Sequence, residues 1–133
     1  MSWMRHLDGS RTARQLRGAN AYHAGRHAEA AVTRVYERRG CGVAEHRWTG
    51  QGGEIDLIVR DGPATVFVEV KRGRDLGSAA THLRPRQMAR IAAAAGEYLD
   101  TLPDGSLSEA RFDVALVDEY GGVAIVENAF GCA

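Results

Sequence analysis

Two runs rich in Ile, Val and Phe, Glu54–Arg60 and Thr65–Arg72, flank Asp61-Gly62-Pro63-Ala64, and this pattern constrains the fold more than any other. β-Branched and aromatic residues suit a pleated, half-buried surface, and Gly with Pro supplies a tight turn, so a hairpin is expected. A turn centred between Gly62 and Pro63 sets Asp56 opposite Glu69 and Glu54 opposite Lys71. Side chains two apart share a sheet face. Glu54, Asp56, Glu69 and Lys71 are therefore expected on one face, and Ile55, Leu57, Val68 and Val70 on the other, against the core. Glu54 with Lys71 reads as a cross-strand ion pair. Asp56 with Glu69 does not, because like charges across a ladder are destabilising. A divalent cation between the carboxylates would remove the conflict, and two carboxylates with a carbonyl and waters form an oxygen site suited to Mg²⁺ or Mn²⁺. A nearby Lys can orient an attacking water or stabilise phosphate charge, which completes the parts for metal-assisted phosphodiester hydrolysis. A register slipped by one residue would leave only a solvated acidic strand face.

The remaining chain supplies layers for this hairpin. Apolar residues recur at helical spacing from Asn20 to Arg39, where Gly40 and Gly42 stop the helix. Val43–Trp48 reads as a short strand ended by the glycine-rich loop 49–53, and Gly73–Leu83 as a loop. A second helix starts near Pro85 with Met88, Ile91, Ala92, Ala95 and Leu99 as its apolar stripe. Arg111–Val117 and Val123–Glu127 add two strands around the turn 118–122. The expected architecture is α/β, a mixed central sheet of about five strands flanked by helices. At 133 residues the chain has room for one such domain, over residues 19–133, preceded by a basic segment at 1–18.

No apolar run approaches the roughly 20 residues of a membrane-spanning helix, so no membrane partner is expected. Met1–Arg17 lacks the apolar stretch of a secretory signal, which points to the cytoplasm. Cys41 and Cys132 have no paired spacing and read as incidental. Net charge is zero, yet nine Arg against four acids in residues 1–50 and one Arg against six acids in residues 101–133 polarise the chain. A basic patch can meet phosphates whatever the total, although a solvated helix face beside an acidic tail reads equally well. Sixteen of the seventeen basic residues are Arg. The exception is Lys71, a compact point charge where a planar guanidinium would not serve.

The segments Gly53-Glu-Ile-Asp-Leu-Ile58, Val66-Phe-Val-Glu-Val-Lys71, Arg90-Ile91 with Ala95 and Tyr98-Leu99, Arg111-Phe-Asp-Val114 and Asn128-Ala-Phe130 together resemble the YraN-like proteins, a bacterial family. That resemblance covers residues 19–130 and implies a restriction-endonuclease-like fold in the PD-(D/E)xK nuclease superfamily, similar to archaeal Holliday junction resolvases. It places the superfamily's second-strand acid on Asp56, its (D/E)xK pair on Glu69 and Lys71, and its first-helix acid on Glu29. Glu29 would complete the shell of a cation held by Asp56 and Glu69, or serve only the helix dipole. Glu54 would stand behind those ligands. The family's Lys near the start of the second helix is replaced here by Arg86 and Gln87. These two, with Arg72, Arg74 and Arg84, are the candidates for holding a nucleic-acid backbone, DNA ahead of RNA. By analogy with the resolvases a homodimer is expected. The implied activity is metal-dependent endonucleolytic cleavage, in branched DNA among other substrates. The alternative is a non-catalytic nucleic-acid or protein-binding module on the same fold.

Other signals are weaker. His23 and His27 lie four apart but lack the Glu of a zinc hydrolase, and the 50–53 loop lacks the Lys-Ser/Thr ending of a P-loop. His46 and His82 could reach the site from the first strand and the 73–83 loop, and neither is assigned a role. Trp3 and Trp48 could stack on bases, yet single aromatics more often finish a core edge.

Overall fold

A computed structural model describes residues 13–129, with side chains from residue 25 onward. Helix α1 (Ala13–Arg38) leads into strands β1 (Gly42–Thr49), β2 (Glu54–Asp61) and β3 (Ala64–Arg72). Helices α2 (Leu76–Ala80) and α3 (Pro85–Leu99) follow, then a 3₁₀ turn (Gly105–Leu107) and strands β4 (Ala110–Val117) and β5 (Val123–Val126). The strands form one sheet in the order β1-β2-β3-β4-β5, antiparallel except for the parallel pair β3/β4. Parallel neighbours need a crossover, and α2 with α3 provides it. The fold is α/β with a mixed five-stranded sheet, as expected. No helix among the described residues is long and apolar enough to cross a membrane.

Helix α1 begins at Ala13, ahead of the expected start at Asn20, so the division at residues 18/19 falls inside it. Residues 1–12, Trp3, Cys132, Phe130 and the side chain of His23 lie outside the described residues. The glycine stop is as expected: Gly40 takes φ +86°, the Cys41 amide donates to the Tyr36 carbonyl and the Gly40 amide to the Glu37 carbonyl. This is the paired arrangement of a left-handed C-terminal cap. The segment expected as a loop after β3 contains α2 instead. Its five residues are too few for a periodic apolar signal, and Asp75 caps it by accepting the Ser78 amide at 2.8 Å. Helix α3 starts at Pro85 but buries Ile91, Ala94, Ala95 and Tyr98, leaving Ala92 exposed. Tyr98 rather than Leu99 fills the last turn, its ring edge-on to Trp48 (5.3 Å) and Phe67 (5.9 Å). Trp48 is thus a core-edge residue.

Both faces of the sheet are covered. Ala28, Val32 and Tyr36 of α1 pack on Leu57, Val59, Val66, Val68, Ala115 and Val117. On the other face α3 packs on Ile55, Ile58, Phe67 and Phe112, and Ala79 of α2 on Val114 and Leu116. The expectation that Ile55 shares a face with Leu57 is therefore corrected. Ile55 belongs to the α3 side, Leu57 to the α1 side, and β2 changes face between them at Asp56. The glycine-rich loop seats against α3. Glu97 accepts the amides of Gln51 (2.8 Å) and Gly52 (2.7 Å), and a Cβ on Gly52 would lie 2.8 Å from that of Ala93. Close approach to a helix, not phosphate binding, explains these glycines.

Asp113 is wholly buried in β4 and fully matched with donors. It accepts the Tyr36 hydroxyl (2.7 Å), Arg111 Nε (2.9 Å) and the Asn128 amide (3.0 Å), and Arg111 continues to Asp61 at 3.1 Å. The network ties α1, the hairpin turn and the segment after β5 to one carboxylate. Burial and Asp113 together push the Tyr36 phenol well above its usual range, so it remains a donor. Removing one partner of a buried charge network typically costs about 3–5 kcal/mol, and losing a neutral hydrogen bond about 1 kcal/mol. Asp113→Ala is expected to lose stability on the larger scale and Tyr36→Phe on the smaller one, measured by denaturant unfolding. Equal losses would show that the charge does not dominate this network.

Candidate functional site

The hairpin register is the expected one, with Leu57 opposite Val68 and Asp61 opposite Ala64. Pairing ends at Leu57–Val68. Beyond it the Val70 amide donates to Asp56 Oδ2 at 2.8 Å, so a side chain takes a donor that a regular ladder would give to backbone. Regular pairing stops here, with Asp56 still beside Glu69. Glu69 is 5% exposed, and Lys71 Nζ lies 3.7 Å from its Oε1. Burial, then a hydrogen bond and charge from Asp56, raise the Glu69 carboxyl well above its ordinary value of 4.5, and Lys71 pulls it down only in part. At 3.7 Å the ion pair is long, and the neighbouring acid outweighs it. The expected ion pair of Glu54 with Lys71 does not form. Glu54 is exposed at the start of β2 opposite Thr49, and Lys71 turns to Glu69.

Glu29 reaches the sheet edge from α1 but meets a cation there. Arg47 Nε donates to both its carboxylate oxygens, at 3.0 and 3.1 Å, and NH2 lies 2.9 Å away. Its hydrogen bonds to Glu29, then that carboxylate's charge, raise the Arg47 guanidinium above its usual value, and Glu54 and Asp56 add smaller contributions. Arg47 thus links Glu29 to the acids of β2 without closing them into one cage. Among the described residues no three His, Cys, Asp or Glu side chains converge as a preformed metal site. Sequence reasoning passed over Arg47. Its backbone sits at φ +50°, a left-handed conformation uncommon outside glycine, which a strand pattern does not announce.

A groove of about 760 Å³ opens at the C-terminal ends of β3 and β4, beside Lys71. Arg72, Arg74, His27 and His82 line it with Lys71. Two expected backbone-binding residues, Arg72 and Arg74, are therefore brought to this groove with Lys71, whereas Asp56 and Glu69 do not line it. Arg84 and Arg86 are exposed at the start of α3 and Gln87 is half-buried there; none of them lines this groove. His27 and His82 do line it. Their signal was only their position in sequence near the first helix and the crossover.

Glu69 gives the site a pH signature. A carboxyl whose native pKa is raised binds a proton that the unfolded chain releases, so its contribution is complete below 4.5 and is lost as pH rises through the native value. Glu69→Gln cannot ionise and removes this term. Relative to the parent, the variant should gain stability as pH increases from about 4.5 into the alkaline range, read from denaturant midpoints across a pH series. A parallel pair of profiles would mean that Glu69 is not held protonated.

The model of the family described as Uncharacterised protein family UPF0102 matches residues 28–117, from α1 through the end of β4. A UPF0102 protein of Ruegeria pomeroyi is 56% identical over 115 residues, 86% of this chain and 94% of its own length. One from Cereibacter sphaeroides is 52% identical over 86% of this chain and 98% of its own length. Another, from Roseobacter denitrificans, is 49% identical over 88% and 91%.

Proposed function

The chain belongs to the UPF0102 family, the same group as the YraN-like proteins, and from this premise and the geometry of Asp56, Glu69 and Lys71 we propose a metal-dependent nuclease. The observation that carries the reading is the buried Glu69 carboxyl against Asp56, beside the chain's one Lys. A sheet selected for stability alone would not bury one acid against another. The reading includes the PD-(D/E)xK superfamily and its restriction-endonuclease-like fold.

The donor set fits Mg²⁺ or Mn²⁺. It is all oxygen, and Mg²⁺ is commonly held by one or two carboxylates with water and substrate phosphate completing its shell, so a three-acid cage is not required. Asp56 and Glu69 would hold the ion. Glu29 joins them only if it leaves Arg47, and Glu54 stays behind at the strand start. When bound, such an ion polarises the phosphoryl oxygen and favours formation of a nucleophilic hydroxide from water. Lys71 brings a compact positive charge with three donors to the same place, able to orient the attacking water or offset charge on the phosphorane oxygens. Arg72 and Arg74 bind flanking phosphates in the groove and fix the strand without reading its bases. DNA is the substrate proposed first, over RNA, cleaved by water with one phosphorus–oxygen ester bond broken.

Manganese titration calorimetry provides the test. Heat of binding is expected with the parent protein and none with Glu69→Ala. Because Glu69 must release its proton to serve as a ligand, affinity should rise with pH and the heat should vary with buffer ionisation enthalpy. Branched, single-stranded and duplex DNA with Mn²⁺ should then show cleavage lost in Lys71→Ala and Asp56→Ala. Tight DNA binding with no turnover on any of the three would favour the non-catalytic module. Absence of both metal heat and DNA binding at low salt would sink the proposal.

A further inference from the structure

The turn between β4 and β5 forms one wall of the groove, and nothing in the hydrolytic reading uses it. Asp118, Glu119 and Gly121 line the groove there, and Lys71, Arg72 and Arg74 line it from the end of β3. The groove is thus divided by charge, acidic on the β4–β5 side and basic on the β3 side, with Val70 and Val117 between. Phosphate suits the basic wall and is repelled from the other. A nucleobase is neutral, and its ring N–H groups can donate to carboxylates.

Tyr120 stands between two lining residues, Glu119 and Gly121, and is 87% exposed. The other tyrosines whose side chains are described, Tyr36 and Tyr98, are buried. Its backbone is nonetheless fixed. Asp118 Oδ1 accepts the amides of Tyr120 (2.9 Å) and Gly122 (2.7 Å), the Asp118 amide donates to the Gly122 carbonyl (3.0 Å), and Gly121 makes the reversal at φ +84°. A turn held in this way carries an exposed ring next to two groove-lining residues, the kind of placement a stacking platform needs. An aromatic ring stacks on any base, because every base has a π-face.

We propose that the groove seats one nucleic-acid strand with its phosphates on Lys71, Arg72 and Arg74 and a base stacked on Tyr120. The inference rests on the nucleic-acid reading above and adds to it a positioning residue outside the hairpin. Its volume of about 760 Å³ lies within the range that takes a group the size of a small ligand, such as one nucleotide. The base must offer a free face, as at a strand end, a gap or a branch, since both faces are covered inside a continuous stacked duplex.

Fluorescence anisotropy without divalent cation, at low salt, separates stacking from charge. The probes are a labelled oligothymidylate and an abasic oligomer of the same length. Tyr120→Ala should weaken the oligothymidylate by roughly five-fold to a hundred-fold, while Tyr120→Phe stays near the parent. The abasic oligomer should bind all three proteins alike. If Tyr120→Ala weakens both probes equally, or neither, while the parent binds both, the stacking role is wrong and the nucleic-acid reading stands. A parent protein that binds neither probe overturns both.

Discussion

Glu69 is buried against a second acid, and the local architecture follows from that conflict. Burying a carboxylate is expensive without donors around it, and the donors near Glu69 are few: Lys71 stands 3.7 Å away and the Val70 amide is already taken by Asp56. Burial and Asp56 push this carboxyl toward its protonated form. Regular pairing gives way here, because Asp56 can accept from Val70 only where pairing with β3 has stopped. Change of face at Asp56 sends Ile55 to the α3 layer and leaves Leu57 under α1, so this end of the hairpin is anchored by both hydrophobic layers. The site is therefore held by the core and not by the acids themselves.

Position in the sheet explains why Lys71, Arg72 and Arg74 meet at the groove. β3 and β4 are its parallel pair, and a parallel pair sends its connections away from the C-terminal ends of its strands. Glu69 and Lys71 lie near the end of β3, and the groove opens between α1, the start of the crossover and the β4–β5 turn. Gly73 closes this corner: a Cβ there would sit 2.4 Å from the Ala79 amide of α2, so only glycine lets the crossover turn so tightly after β3. Lys71, Arg72 and Arg74 are thus presented on a strand end backed by a helix, and their relative placement is set by the sheet.

Much of this was legible in the sequence. Alternation over 54–60 and 65–72 with Gly-Pro between them fixes the hairpin and its register, because a slip by one would invert every apolar residue. The helical spacing of Ala28, Val32 and Tyr36, and Pro85 at a first turn, fix the covering layers. What escaped depends on tertiary position. Asp56 breaks the alternation from inside a strand whose composition is unremarkable, so the change of face at Ile55 has no local marker. α2 is shorter than a helical period can reveal, although Asp75 three before Ser78 is a capping signal. Arg47 adopts a left-handed backbone without glycine, and its partner Glu29 lies 18 residues away on another layer. His82 was expected near the site from the loop after β3 and does line the groove, but its neighbours there follow from the fold of the crossover.

Two buried acids in the same sheet make the contrast that separates scaffold from site. Asp113 is completely buried and receives donors from Tyr36, Arg111 and Asn128, each from a different part of the chain. Its surroundings are built to match a negative charge, and matching it joins the elements together. Glu69 is almost as deeply buried, yet its nearest strong influence is another acid and its one cation is distant for a hydrogen bond. Evolution of the same fold toward stability has an available solution at Asp113 and has not applied it at Glu69. An under-matched carboxyl of this kind stores affinity for positive charge that a fully matched one has already spent internally. The difference lies in what surrounds each oxygen, and it is why the hairpin acids, rather than the more deeply buried acid of β4, are the place where a cation and a phosphodiester would meet.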